Sequence, residues 1–235
     1  MISFPRGARA RRGPIMPPAP GARNAIRRAA AWCGAFAAVS FTAARGAEDL
    51  VLMERILADP QREESAVRAG RKLATLCAPC HGIDGNSSYP WVPNLASQNP
   101  LYFLEQVERF RGQQRSDHVM SDVIALLDRR QWLDLGLYLR RQPIRPRFAV
   151  DVGRVAAGEE TYRRHCLACH GAGGVGGAGR AYAWLAGQQP EYLVRSLKRF
   201  RDGSSLRRHP AMAAAAKPLS DDEIENVAAY LGSLR

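Results

Sequence analysis

The residues of this chain that can do chemistry lie in two short runs, Cys77-Ala-Pro-Cys80-His81 and Cys166-Leu-Ala-Cys169-His170. Two thiols three positions apart can reach the two vinyl groups of one porphyrin, and the histidine that follows then lies under the iron as its proximal ligand. Because the whole pattern occurs twice, the sequence predicts two covalently attached haem c groups. The residues assigned to them are Cys77, Cys80, Cys166 and Cys169 for attachment and His81 and His170 for the iron.

Two other uses of paired cysteines agree less well with the sequence. A zinc site built from all four thiols would have to span the 85 residues between Cys80 and Cys166, whereas zinc ribbons use much shorter spacers. It would also leave both histidines without a role. A thioredoxin-like redox pair would need a βαβ pattern near the motif, and the chain has no strand-rich segment.

An iron that only transfers electrons needs a second axial ligand, and two methionines occupy corresponding places in the two halves. Met120 and Met212 lie 39 and 42 residues after the histidines of their motifs. An isolated methionine would be interpreted as core filling, but the repetition predicts that each iron is bound by a thioether, which raises its potential. His118 and His209 recur beside these methionines, so coordination by two histidines is the alternative.

Residues 1–47 have the composition of an export signal. They contain eight Arg, no Lys and no acidic residue, and they include an apolar run from Ala29 to Ala44 that small residues follow. A basic start and an apolar segment of this length are typical of a secretory leader, and the run is short for a membrane span. The sequence predicts a cleaved leader and a periplasmic mature protein. The alternatives are an uncleaved anchor and a start at Met16.

Removal of the leader changes the charge of the chain. The full sequence has 34 basic and 22 acidic residues, and subtracting the eight arginines of the leader leaves 26 against 22, a net charge of +4 instead of +12. This balance gives little support to nucleic-acid binding, so no nucleic-acid partner is predicted. Cys33 leaves with the leader, and every remaining cysteine then belongs to a haem motif. No disulfide and no cysteine ligand are expected.

Helices are expected to position the two motifs, because apolar residues recur with helical spacing along the chain. The two halves also repeat each other at an offset close to 90 residues. Pro100 and Pro190 stand where a proline can begin a helix, and Ser220-Asp-Asp-Glu223 is a capping box before the last helix. The corresponding residues are Gly70 and Gly158, Gln98 and Gln188, Tyr102 and Tyr192, Phe110-Arg111 and Phe200-Arg201, and Gly112 and Gly203.

The predicted fold is all-α, a tandem of two domains that each wrap around one covalent haem. The predicted division is a leader at 1–47, an N-terminal domain at 48–142, a linker at 143–152 and a C-terminal domain at 153–235. Pro143 and Pro146 indicate the linker, because they prevent a helix from continuing and favour an extended connector. Each domain is small for a core of its own, so the porphyrin is expected to supply much of it.

Two Cys-x-x-Cys-His-Gly units, each followed by Gln-x-x-x-Tyr, Phe-Arg and a late methionine, resemble the cytochrome c4 family of dihaem cytochromes over residues 62–234. The resemblance implies two class-I cytochrome c domains and electron transfer. In such domains a proline carbonyl accepts the N–H of the proximal histidine, and Pro93 matches this proline for His81. Ala183 stands at the equivalent place in the second half. The contact to His170 is therefore expected to be longer or lost, and the potential of that haem to be the higher.

The predicted function is that of a periplasmic carrier that shuttles single electrons and has no enzymatic activity of its own. Its expected partners are redox proteins, with a respiratory membrane protein or a dehydrogenase as donor and a terminal oxidase or reductase as acceptor. Contact with a membrane is expected only through a partner. Two alternatives stay open: a cytochrome subunit of a dehydrogenase such as flavocytochrome c sulfide dehydrogenase, and a dihaem peroxidase or thiosulfate-oxidising enzyme, which would need an open axial position.

Overall fold

The structure, a computed structural model, describes residues 48–176, 182–204 and 206–235, and the predicted leader lies outside them. Two 3₁₀ turns, Ala74–Leu76 and Ile124–Leu126, interrupt the helices of the N-terminal half. In chain order these helices are α1 at residues 48–57, α2 Pro60–Leu73, α3 Ala78–His81, α4 Pro100–Arg111, α5 Met120–Val123 and α6 Arg129–Arg140.

The C-terminal half repeats this order from α2 onward. Its helices are α7 Val155–His165, α8 Leu167–His170, α9 Pro190–Arg201, α10 Pro210–Ala216 and α11 Asp221–Ser233. Across the three described stretches there is no β-strand, and extended backbone pairs only in an isolated antiparallel bridge between Arg115 and Arg207. The predicted all-α class is therefore confirmed. None of the helices in the described part of the chain has the length and apolar character needed to cross a membrane.

Capping side chains explain where the longer helices begin. The side chains of Asp59 and Asn99 accept N–H groups from the first turns of α2 and α4, and both helices have a proline in their first position. Helices α6 and α11 begin with capping boxes at Asp128 and Ser220. The helix starts predicted at Pro100 and Pro190 and the capping box predicted before the last helix are confirmed.

Ser220→Ala should lower the free energy of unfolding of the haem-loaded protein by about 1 kcal/mol. The substitution removes the oxygen that accepts the Glu223 N–H at 3.2 Å. Ser220→Asp keeps an accepting oxygen at the cap and should unfold close to the wild type. Chemical denaturation followed by circular dichroism measures both variants, and an alanine variant as stable as the wild type would contradict the role of the cap.

In each half, the helix that leads into the haem motif crosses the last helix at a glycine. Helix α2 crosses α6 at Gly70, and α7 crosses α11 at Gly158. A Cβ on Gly70 would overlap the carbonyl oxygen of Asp134, and a Cβ on Gly158 would overlap that of Asn226. Only a residue without a side chain allows two helix backbones to approach so closely. The two crossings therefore place both haem motifs in the same way relative to the last helix.

Two apolar cores lie beside these crossings. Trp132, Leu135 and Leu139 of α6 belong to the larger N-terminal core, and Val227 and Leu231 of α11 belong to the smaller C-terminal one. The first cysteine of each haem motif packs against the core of its own half. Each attachment motif is thus anchored on one side by apolar packing.

A buried asparagine in the loop that follows the first haem motif holds the segment between the halves. Asn86 is fully buried, donates to the Pro143 carbonyl at 3.0 Å and accepts the Arg145 N–H at 2.7 Å. The described residues of both halves belong to one compact unit. The predicted domain boundaries at residues 142 and 153 remain predictions.

Candidate functional site

Each haem motif folds as one short turn of helix. Helices α3 and α8 begin directly after the first cysteine of their motif, so both thiols and the histidine lie in consecutive positions of a single turn. Cys77 and Cys166 are half-buried, whereas Cys80 and Cys169 are exposed, and all four are free thiols. Thioether attachment needs free thiols with room beside them. The four cysteines therefore fit the predicted attachment of one haem in each half.

The two histidines are buried, and each directs its Nδ1 atom at a backbone carbonyl. His81 Nδ1 lies 2.9 Å from the Pro93 oxygen, and His170 Nδ1 lies 3.0 Å from the Ala183 oxygen. Because a carbonyl oxygen only accepts hydrogen bonds, Nδ1 carries the proton in both rings and Nε2 keeps its lone pair. Metal-binding histidines generally have this arrangement. Both rings are suited to bind an iron through Nε2.

The contact in the second half corrects an expectation from the sequence. The absence of a proline at position 183 predicts a longer or missing bond to His170, and this prediction is wrong. The bond uses a backbone carbonyl, which Ala183 has as well as Pro93, and its length of 3.0 Å is close to the 2.9 Å of the first half. The higher potential predicted for the second haem therefore loses its structural reason.

Burial lowers the pKa of His81 and His170 below the ordinary value for an imidazole, although their carbonyl hydrogen bonds act in the opposite direction. The neutral ring, which is the form that binds a metal, is thus favoured. Burial raises the pKa of the Cys77 and Cys166 thiols to about 11. Reactive Cys-x-x-Cys pairs have a lowered thiol pKa, so a thioredoxin-like site is disfavoured. Among the described residues no group of three or more His, Cys, Asp or Glu side chains is arranged to hold a metal ion.

A tight turn after each histidine returns the chain so that a carbonyl can meet the ring. Gly82 and Gly171 end the motifs with φ angles of 74° and 71°, which favour glycine. The carbonyl of the glycine three residues further on accepts an N–H group from the returning segment. The donor is Leu95 at 2.7 Å in one half and Leu185 at 2.6 Å in the other. Because the same loop closes both sites, the distances from ring to carbonyl are alike.

Met120 and Met212 are half-buried and lie in short helices of their halves. Met120 opens α5 and packs against the N-terminal core. His118 is exposed, and His209 Nδ1 accepts the Met212 N–H at 3.3 Å as the cap of α10. An exposed ring and a ring engaged in capping are poorer candidates than the two thioethers. Ligation by the methionines stays a prediction, and the positions of the neighbouring histidines favour it.

The Phe-Arg pairs of the repeat anchor the segment that carries each methionine. Arg111 Nη2 donates to the Leu127 carbonyl at 3.0 Å, and Arg201 Nη1 donates to the Leu219 carbonyl at 3.2 Å. Both carbonyls lie directly before the cap of the last helix, where the methionine segment ends. The sequence alone shows that these arginines correspond but not what they contact. The equivalent hydrogen bonds indicate that the segment is fixed in the same way in both halves.

The sequence does not reveal a pair of arginines that lies between the halves. Arg207 donates to the Tyr102 and Tyr192 hydroxyls at 3.0 and 2.9 Å, and Arg115 donates to Tyr192 at 3.1 Å. Burial alone would raise the pKa of Tyr192, but the two guanidinium charges bring it down to about 7. Arg115 lies three residues after Gly112, whereas Arg207 lies four residues after Gly203. Because the spacings differ by one residue, the sequence repeat does not align the two arginines.

The charges of Arg115 and Arg207 are the best test of whether the space between the halves suits a haem. Arg115 and Arg207 donate to amide and hydroxyl oxygens, and neither forms an ion pair with a carboxylate of the described residues. Two half-buried charges of one sign that share a tyrosine hydroxyl repel each other, and a carboxylate beside them would offset this repulsion. Haem c carries carboxylates, so the junction suits this cofactor.

The comparisons with known proteins agree with these observations. Residues 153–231 match the family model for cytochrome c oxidase, cbb3-type, subunit III. The chain is 35% identical over 187 residues to a cytochrome c4 of Thiocapsa roseopersicina, which covers 75% of this chain and 93% of that protein. It is 31% identical over 175 residues to a protein of Stutzerimonas stutzeri named thiosulfate dehydrogenase electron acceptor, which covers 68% of this chain and 80% of that protein.

A solved structure resembles the chain over most of its length. Reduced recombinant cytochrome c4 from Pseudomonas stutzeri aligns with a TM-score of 0.66 and 27% sequence identity. The alignment covers 72% of this chain and 98% of that chain. The likeness therefore extends over both halves.

Proposed function

Because the chain belongs to the cytochrome c4 family, we propose that it is a periplasmic carrier of single electrons from a respiratory or dehydrogenase donor to a terminal oxidase or reductase. Its fold is the tandem of two class-I cytochrome c domains, and its cofactors are two covalently attached haem c groups. The observation that carries the proposal is the matched pair of buried histidines, each with Nδ1 bonded to a backbone carbonyl.

The residues of each site have separate roles in this proposal. His81 and His170 bind iron through Nε2, while their carbonyl partners orient the rings and keep the proton on Nδ1. Met120 and Met212 would supply the second ligand to each iron. The iron, when bound, supplies the one-electron chemistry. With a histidine and a methionine both bound, neither iron would have a place left for a substrate, as expected of a carrier and not of a peroxidase-type enzyme.

The periplasmic part of the proposal depends on residues 1–47. Their eight arginines, lack of acidic residues and apolar run are the features of a leader that directs export. Mass spectrometry of protein recovered from the periplasm should show the mass of the chain without this leader plus two haems. Protein that keeps residues 1–47, or that carries zinc or a single haem, would contradict the proposal.

One comparison favours a particular donor as a second, finer candidate. The relative from Stutzerimonas stutzeri is named for accepting electrons from a thiosulfate dehydrogenase. A donor of this class would place the present chain as the acceptor in thiosulfate oxidation. Stopped-flow mixing of the oxidised protein with a purified thiosulfate dehydrogenase and thiosulfate should then reduce both haems. Reduction by a quinol-oxidising complex but not by this mixture would favour a respiratory donor.

The reduced protein is expected to bind carbon monoxide slowly and to be a poor peroxidase at neutral pH. Both reactions need an open axial position, and the proposed methionine ligands occupy it. Flash photolysis and a peroxide-reduction assay measure the two properties. Fast binding of carbon monoxide by the wild type would contradict the carrier and favour the enzyme.

A further inference from the structure

Two glutamines of the repeat reach across to the opposite half. Gln98 and Gln188 are both buried, with 7% and 6% of their surface exposed. Gln98 Oε1 accepts the Trp184 N–H at 2.8 Å, and its Nε2 donates to the Trp184 carbonyl at 3.1 Å. Gln188 makes the same two contacts with Asn94, at 2.8 and 2.9 Å. Each glutamine therefore holds the backbone of one residue of the other half through both of its polar groups.

In the C-terminal site, the held backbone includes the peptide group that meets the histidine. The Trp184 N–H and the Ala183 carbonyl belong to one planar peptide group, so neither can turn without the other. The carbonyl accepts from His170 Nδ1 at 3.0 Å, and the N–H donates to Gln98 Oε1 at 2.8 Å. A continuous line of two hydrogen bonds thus joins the histidine of one half to the glutamine of the other.

The N-terminal site has the same line with the roles of the halves exchanged. His81 Nδ1 meets the Pro93 carbonyl at 2.9 Å, and the Asn94 N–H of the same peptide group donates to Gln188 Oε1 at 2.8 Å. The two lines have nearly equal lengths at every step. This agreement distinguishes them from contacts such as Asn94 Nδ2 to the Gly187 carbonyl, which does not involve the peptide group that a proximal histidine uses.

From these two lines we infer that Gln98 and Gln188 are positioning residues for the iron-binding histidine of the opposite half. Gln98 acts on His170, and Gln188 acts on His81. The inference rests on the proposed binding of iron by these histidines.

The expected effect on the haem has a definite sign. When a peptide N–H donates to an amide oxygen, the carbonyl of the same group becomes a stronger acceptor, because hydrogen bonds in a line polarise one another. A stronger acceptor at Nδ1–H leaves more electron density on the ring, which stabilises ferric iron and lowers the potential. Loss of a glutamine should therefore raise the potential of the haem in the other half.

Redox titration of the full-length dihaem protein tests whether each glutamine acts on the haem of the opposite half. Gln188→Leu should raise the midpoint potential of the haem at Cys77 and leave that of the haem at Cys166 unchanged, and Gln98→Leu should do the reverse. The proton resonances of the axial histidine rings, shifted by the paramagnetic iron, assign each midpoint to its haem. In each variant, the histidine resonances that shift should belong to the haem whose midpoint potential changes.

Gln189→Leu is the matched control. Gln189 crosses the same junction, where its Nε2 donates to the Ser87 carbonyl and to Asn94 Oδ1 at 3.1 and 3.0 Å. It does not touch the peptide group that His81 uses. This variant should disturb the packing of the junction as much as Gln188→Leu does, yet leave both midpoints unchanged.

Three results would overturn the inference: a shift in the half that carries the substitution, equal shifts in both halves, or an equal shift in Gln189→Leu. If Gln188→Leu does not accumulate with two haems, Gln188→Glu replaces it, since this variant keeps the oxygen that accepts the Asn94 N–H and adds negative charge. It should lower the potential of the Cys77 haem alone, and an unmoved midpoint overturns the inference as well. The spectrum of the wild type reports iron ligation independently, so a failure of the proposed histidine ligation would be seen before any variant is compared.

Discussion

Met120→Ala and Met212→Ala should each remove one half of the thioether-to-iron absorption and lower the potential of one haem. The thioether stabilises ferrous iron, so its loss favours the ferric state, and axial ligands set haem potentials over a range of ~0.8 V. Each variant should also open one axial position, so that the reduced protein binds one equivalent of carbon monoxide rapidly. Spectral redox titration and flash photolysis measure these effects in the dihaem protein.

Met53→Ala is the control for the two methionine variants. Met53 is a half-buried methionine of α1 that packs against the N-terminal core and has no proposed role at an iron. Its replacement should reduce stability without changing either spectrum. If Met120→Ala or Met212→Ala likewise leaves both spectra unchanged, that methionine only fills the core. The neighbouring histidine, His118 or His209, would then be the ligand.

Gly158→Val should destabilise the C-terminal half by about 3 kcal/mol, the upper part of the usual range for overpacking. A side chain at this position would overlap the Asn226 carbonyl oxygen and approach the Tyr230 Cβ at 2.8 Å. Both neighbours belong to α11, so the two helices must separate. Separation would disturb the tilted ring contact between Tyr162 and Tyr230, whose centroids are 5.4 Å apart. Denaturant unfolding of the haem-loaded protein, followed by haem absorbance and circular dichroism, measures the loss.

Gly112→Ala is the matched control for the helix crossing. Gly112 follows α4 with a φ of −82°, and the nearest heavy atom to an added Cβ is the Glu108 oxygen at 3.4 Å. Any residue can adopt this backbone, so the stability should change by less than about 0.5 kcal/mol. A Gly158→Val protein that unfolds at the wild-type denaturant concentration would mean that the helices separate without cost.

The features that the sequence predicted correctly are those set by neighbouring residues. A Cys-x-x-Cys-His run fixes two thiols and an imidazole in one turn, and a proline or a capping box fixes the start of a helix within four positions. The glycines at the helix crossings were recognisable because Gly70 and Gly158 correspond in the repeat. The helical periodicity then predicts the all-α class.

The features that the sequence did not predict depend on contacts between distant parts of the chain. Gln98 and Trp184 are 86 positions apart, and no periodicity connects a glutamine to a backbone group of the other half. The prediction of a longer or missing bond at Ala183 was wrong for a related reason. It judged the position of a backbone carbonyl from the type of side chain beside it. The repeat identifies Met120 and Met212 as corresponding residues, and their binding to iron stays a prediction.

Gln98 binds the backbone of the C-terminal half, and Gln188 binds that of the N-terminal half. One chain therefore has the reciprocal contact that an isologous homodimer has between its two subunits. In a homodimer a single codon specifies both copies of such a residue, so any substitution alters both sites at once. Fusion of the two units into one polypeptide removes this restriction. Each glutamine can change independently, and selection can adjust one haem while the gene segment for its own ligands stays as it was.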